Sequence, residues 1–140
     1  MSDTDQKFEK ILVGLNLPGP RITLAMVEEI LATVTYETSL VKGTTCMQAV
    51  AVLPSGFVLA TGQSNDADPA NFNPALGIEM AISKARDLAR DAIWKHENYR
   101  LKQALYEVRH NKASAAMIQI RAILDPAAQA PGSQGAGASE

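Results

Sequence analysis

The five residues LPSGF, Leu53 to Phe57, constrain this chain more than any other stretch. Pro54 supplies the φ that the second position of a type I turn requires, and Gly56 accepts the conformation needed to leave it. Strand-forming residues lie on both sides, TTCMQAVAVL before the turn and FVLATG after it. The pattern is a β-hairpin. Two strands alone are marginal in water, so a third is required. VTYETSLV, residues 34–41, supplies it ahead of the short Lys42 and Gly43 connection. A three-stranded antiparallel meander still has an apolar face to cover, which calls for a helix.

Asn73 and Pro74 announce that helix, as a good N-cap followed by proline at the first helical position. Gly77, Ala81, Ala85, Leu88 and Ala92 form the expected inward stripe, widened by Leu76, Met80 and Ile93. Its small residues let the helix lie close to the sheet. The helix is expected to end near Glu97, with a break at Asn98 before a further helix carrying Leu101, Leu105 and Val108. NKASAAMIQIRAIL then adds another, with Met117, Ile120 and Leu124 on one face. Upstream, Thr23 caps a short helix whose Val27, Ile30, Leu31 and Val34 share a face.

The cluster Pro18, Gly19, Pro20 breaks any helix attempted by Phe8 to Leu15, so residues 1–20 read as a flexible arm. Residues 126–140, low in complexity, read as a disordered tail. The fold class is α+β: a short N-terminal helix, a three-stranded antiparallel sheet packed by a long helix, and further C-terminal helices. Residues 21–108 form the expected single domain, and 109–125 an additional helix.

Length agrees, since 140 residues suit one core. With 46% hydrophobic and 20% charged residues the chain has the balance of a folded globular protein. The one cysteine, Cys46, has no partner for an internal disulfide and sits among apolar neighbours, which makes it a buried structural thiol. No segment has the length and apolarity of a membrane span or signal peptide, so a reducing cytoplasm is the expected location. The net charge of −2 hides an asymmetry: residues 1–83 carry 4 basic and 9 acidic side chains, and residues 84–112 carry 8 and 4. Lys84, Arg86, Arg90, Arg100, Lys102 and Arg109 are therefore a candidate basic surface for phosphate groups.

No catalytic constellation stands out. His96 and His110 lie outside metal-binding spacings, and Asp66 and Asp68 are short loop carboxylates of the kind that bond their own backbone. The chain is read as a non-enzyme that uses no cofactor or metal. Trp94 with Ile93 is expected to plug the base of the core, with Tyr99 packed on the next turn. The span Gln63 to Phe72 is longer than a strand-to-helix connection needs, roughly 2 to 6 residues. It leads to a helix N-terminus whose free N–H groups suit an anion. Ser64, Asp66, Asp68, Asn71, Phe72 and Asn73 are the candidate binding residues, with Phe72 expected to staple the helix against Ile78 or a neighbour.

Gly56 and Phe57, Gly62 and Ser64, the run Asp68, Pro69, Asn71, Phe72, then Gly77 and Ala81, Ile93 and Trp94, and Tyr99 with Leu101 occur in an order that resembles a known pattern. It is that of the small tailed-phage protein family named after gene product forty-nine of one phage and gene sixty-six of another. The resemblance spans about residues 21 to 105. Ser55, Asn73 and Asn98 stand where the family usually has Asn, Asp and Gly. It implies a phage accessory protein acting in the host cytoplasm, with no assigned activity.

Three readings follow. The first is a non-enzymatic binder of a host component, either a defence protein or a small nucleotide signal. The second is a nucleic-acid accessory protein using the basic segment. The third is a hydrolase using Asp66 and Asp68. A homo-oligomer is expected in each, because a three-stranded sheet has exposed edges.

Overall fold

The structure, a computed structural model, describes residues 3–110 and 113–125, the side chains of 113–116 excepted. It contains helices α1 (Asp3–Leu15) and α2 (Leu24–Leu31), strands β1 (Thr35–Leu40), β2 (Met47–Val52) and β3 (Val58–Ser64), and helices α3 (Pro74–Arg109) and α4 (Ala113–Leu124). The described residues fall into two compact units, residues 27–94 and the flanking residues up to 26 and from 95 onward.

The first unit is built on the expected meander, with strand order β1-β2-β3 and both pairings antiparallel. At the hairpin, the Gly56 N–H donates to the Leu53 carbonyl at 2.8 Å, and the Leu53 N–H donates to the Phe57 carbonyl at 2.9 Å. Gly56 has φ 92°, so the turn is a type I turn followed by a left-handed glycine, one of the common ways to close a hairpin. Further along the hairpin the β2–β3 register shifts between Ala51 and Val52, a second irregularity that leaves Leu59 without a partner in the ladder.

Along β2, Met47, Ala49 and Ala51 are buried and alternate with half-buried Gln48, Val50 and Val52. Met47 pairs with Ser64, Ala49 with Gly62 and Ala51 with Ala60, which makes this side of the sheet shallow. Helix α3 lies directly on it. A Cβ built on Gly62 would collide with the Ala81 carbonyl oxygen and the Ala85 backbone nitrogen, and would sit 3.0 Å from the Ala85 Cα. A Cβ on Gly77 would come within 3.0 Å of Met47 Cγ. Helix and strand thus approach backbone to backbone, the contact that small residues at both surfaces allow.

The inward stripe differs from the expected one. Ala81, Ala85 and Ala89 are fully buried and Ile93 nearly so, whereas Leu88 is 50% exposed, Ala92 is half-buried, and Leu76 and Met80 are exposed. Contacts therefore follow strict i, i+4 steps from Gly77 to Ile93. Such a ridge is inclined by about 26° to the helix axis, so the contact line slants and leaves the straight 3.6-residue stripe. On the face expected of α2, Val27 and Leu31 are buried and Ile30 half-buried, and Val34, past the end of the helix, is buried too.

The second unit revises the reading of the N-terminus. Residues 3–15 form a helix, with Asp3 and Asp5 in its first turn, where the helix dipole favours them. Asn16, with φ 51°, ends it, its N–H donating to the Val13 carbonyl at 3.2 Å. The stop therefore precedes the Pro18–Gly19–Pro20 cluster. Arg21 donates to both carboxylate oxygens of Glu9 at 3.1 Å, an ion pair between α1 and the segment that leads into α2. Thr23 caps α2, its Oγ1 accepting from the Met26 N–H at 3.3 Å.

The break expected at Asn98 is absent, and α3 runs unbroken for 36 residues. No glycine or proline lies between Gly77 and Arg109, and Arg100 bonds back to Glu97 at 3.1 Å across the position of the supposed stop. Leu101 and Ala104 are buried while Leu105 and Val108 are half-buried; on α4, Ile123 is buried and Met117 is exposed, so both apolar faces are rotated from their expected positions. Tyr99 is 66% exposed, not packed on the next turn. No helix among the described residues is long and apolar enough to cross a membrane. The tail expected over 126–140 lies outside the described residues.

Candidate functional site

The connection from β3 to α3 is shorter than the sequence indicates. β3 extends through Ser64, and Pro69–Asn71 form a single 3-10 turn. Its start is fixed by Asp68, whose Oδ1 accepts from the Ala70 N–H at 3.0 Å, and its end by the Phe72 N–H, which donates to the Pro69 carbonyl. The Asp68 carboxylate is thus engaged with its own backbone. Asn73 Oδ1 accepts from the Leu76 N–H at 3.2 Å, which caps α3 and occupies one of its free N–H groups. Thr45, just ahead of β2, donates its hydroxyl to the Asp66 carbonyl at 3.0 Å and pins the middle of the loop.

Ser64 is 5% exposed, and its hydroxyl donates to the Gly77 carbonyl at 2.9 Å. The bond fastens the end of β3 to the first turns of α3, beside the close approach at Gly77. Ser64, Asp66, Asn71 and Asn73 come together around a cleft of about 30 Å³ whose other wall carries Leu76 and Met80. Asp68 and Phe72 do not line it; Phe72 is half-buried. The cleft has room for roughly one or two water molecules, far below the several hundred Å³ of a small-molecule pocket. A nucleotide would have to lie across the rim.

Sequence reasoning missed the apolar half of this rim. Leu76 is 52% and Met80 45% exposed, one helical turn apart. Both were assigned to the core because their spacing fits the 3.6-residue stripe; the signal that would have released them is the unbroken i, i+4 series of small residues Gly77, Ala81, Ala85, Ala89.

The basic segment is less uniform than its composition. Arg90 is 4% exposed, with its Nε 3.5 Å from Glu28 on α2 and an Nη 3.2 Å from Asp87. It is an internal ion-pair residue and leaves the candidate basic surface. Arg86, exposed, sits 5.5 Å from the centre of the Tyr36 ring on β1, a cation–π contact. Arg100 pairs with Glu97. Lys84, Lys102 and Arg109 are exposed. His110 Nδ1 lies 2.8 Å from the Tyr106 carbonyl and stacks near the Tyr106 ring. Among the described residues no group of three metal-ligating side chains exists.

Taken together, the meander, the small-residue contact with one long helix and the capped loop define an α+β class of protein. Residues 22–105 match the model of the Phage protein (N4 Gp49/phage Sf6 gene 66) family, and the chain belongs to that family. No curated protein and no solved structure matches the chain significantly. The residues that carry the family pattern now have physical roles. Gly56 closes the hairpin, Gly62, Gly77 and Ala81 form the sheet–helix contact, Ser64 bonds across it, and Asp68 starts the 3-10 turn. These six residues serve the scaffold.

Proposed function

We propose that this phage protein is a non-enzymatic accessory factor that binds a host protein in the bacterial cytoplasm through the rim between β3 and α3. One observation carries the reading: Leu76 and Met80 stand half-exposed side by side, bordered by the polar edge of Asp66, Asn71 and Asn73. An apolar centre with a polar border is the anatomy of a protein interface. Catalysis finds less support. The one hydroxyl at the cleft, on Ser64, is buried and donates to a backbone carbonyl, and no histidine lines the cleft to activate it. A nucleotide ligand finds less support in so small a cleft, and nucleic-acid binding loses the cation of Arg90 to Glu28.

The test is recovery of the tagged protein from infected cells, followed by native mass spectrometry, beside a Leu76→Asp, Met80→Asp double variant. Both side chains are exposed, so the variant keeps the fold. Binding of a host protein to the parent and not to the variant is expected. Retention of nucleic acid that weakens steeply with salt, with no protein bound, would overturn the reading.

A further inference from the structure

The edge of β1 is complementary to a second copy of itself. Among the described residues β1 is paired on one side only, with β2. The Val41 N–H donates to the Cys46 carbonyl at 2.9 Å, continuing the β1–β2 register by one pair. In an antiparallel ladder alternate residues bond to the partner strand, so Glu37, Ser39 and Val41 face β2. Tyr36, Thr38 and Leu40 therefore direct their N–H and C=O groups to the open edge.

The same three residues pair with Ala51, Ala49 and Met47, whose side chains are buried on the α3 side of the sheet. Yet Leu40 is 46% exposed, Thr38 is exposed and Tyr36 only half-buried, because the close contact of α3 is with Gly62 on β3. The layer over β1 is left incomplete. Of the usual defences against strand addition the edge carries one charge, Glu37, and TYETSL contains no proline, lysine or bulge. At the other edge, the β2–β3 pairing carries a register shift and β3 a glycine at position 62, both of which disfavour continued pairing.

We infer that two copies of this chain join β1 to β1 in antiparallel fashion about a two-fold axis through Thr38, giving one continuous six-stranded sheet. In that register Thr38 opposes Thr38 of the second copy, Tyr36 opposes its Leu40, and Glu37 opposes its Ser39. The three outward-facing residues each exchange two backbone bonds, about six in all. Threonine pairs and aromatic–aliphatic pairs are favourable across strands, and the two Glu37 carboxylates are not opposed. The interface is isologous, as a two-fold demands. It does not depend on the rim at Leu76 and Met80.

Light scattering after size exclusion at about 100 μM should give twice the 15.0 kDa chain mass. Thr38→Lys places two like charges across the axis and should weaken the dimer at least ten-fold, about 1.4 kcal/mol, while Thr61→Lys on β3 leaves it intact. Should Thr38→Lys fail to fold, Thr38→Cys decides: opposed Cα atoms about 5.5 Å apart in a bonded pair put the two thiols within the span of a short bifunctional maleimide, which should yield a covalent dimer, with the buried Cys46 of the parent as control. A monomeric parent, a dimer that Thr38→Lys does not weaken, or crosslinking through Thr61→Cys in place of Thr38→Cys would overturn the inference.

Discussion

Replacing Gly62 with alanine adds one methyl group where no backbone can yield. The new Cβ meets the Ala81 carbonyl oxygen and the Ala85 backbone, 3.0 Å from the Ala85 Cα. A flexible side chain would swing away, but here the helix must lift as a body. A gap of about 0.5 to 1 Å forfeits roughly a quarter to a half of each dispersion contact it opens. Those contacts run along Ala81, Ala85 and Ala89, all fully buried. Overpacking of this kind costs about 1 to 3 kcal/mol, and the rigid neighbours place it at the upper end. Gly→Ala substitution recovers about 0.4 to 1 kcal/mol through the unfolded chain. The net loss is about 2 kcal/mol, or roughly 10 °C in Tm for a domain of this size. Urea unfolding should show a lower midpoint with an unchanged slope. Ala85→Gly should not rescue the variant, because the atoms met are the backbone nitrogen and Cα. A Gly62→Ala protein within about 0.5 kcal/mol of the parent, or one rescued by Ala85→Gly, would refute the backbone-to-backbone contact.

Further outcomes concern the charged pairs. Arg90→Ala leaves Glu28 facing a cavity and should cost about 2 to 3 kcal/mol, less than the roughly 3 to 5 kcal/mol of a fully buried pair, because Glu28 keeps 26% exposure. Replacing both residues with methionine should recover most of that loss, and a double-mutant cycle without coupling would contradict the pairing. The hydrogen bonds from Arg21 hold the Glu9 carboxyl below its usual 4.5, while the Arg21 guanidinium is pushed upward and stays charged throughout. Because the folded value is lowered, the contribution is complete above about pH 4.5 and is lost as pH falls through the folded value. With both side chains about a fifth to a quarter exposed it is worth less than about 1 kcal/mol. Chemical denaturation of Glu9→Gln and parent should therefore differ near pH 7, with the difference shrinking as pH falls below the ordinary 4.5; a gap that does not change across the acid range would count against the pair.

The turn, the strands and the helix starts were legible because each rests on a local rule. Pro54 and Gly56 close a hairpin, and Thr23 and Asn73 accept from N–H groups three residues on. What was not legible depends on partners distant in sequence. Nothing local says that α3 crosses the sheet on an i, i+4 ridge, so Leu76, Met80 and Leu88 were placed inside when they are outside. Arg90 reads as a surface cation until α2 brings Glu28 to it. The N-terminal helix was masked by the Pro18–Gly19–Pro20 cluster, although Asn16 had already ended it in a left-handed conformation. At the candidate site, the polar residues were found from loop length and composition. The apolar ones were hidden by the same stripe that located the sheet-facing helix.

We propose that the Leu76–Met80 rim binds a host protein. The most direct measurement is native mass spectrometry of the protein recovered from infected cells, run in parallel on the parent and on Leu76→Asp, Met80→Asp. The account predicts a host protein bound to the parent and depleted at least about ten-fold, 1.4 kcal/mol, from a variant with unchanged circular dichroism. A parent that carries no host protein, or a variant that carries as much as the parent, would contradict it.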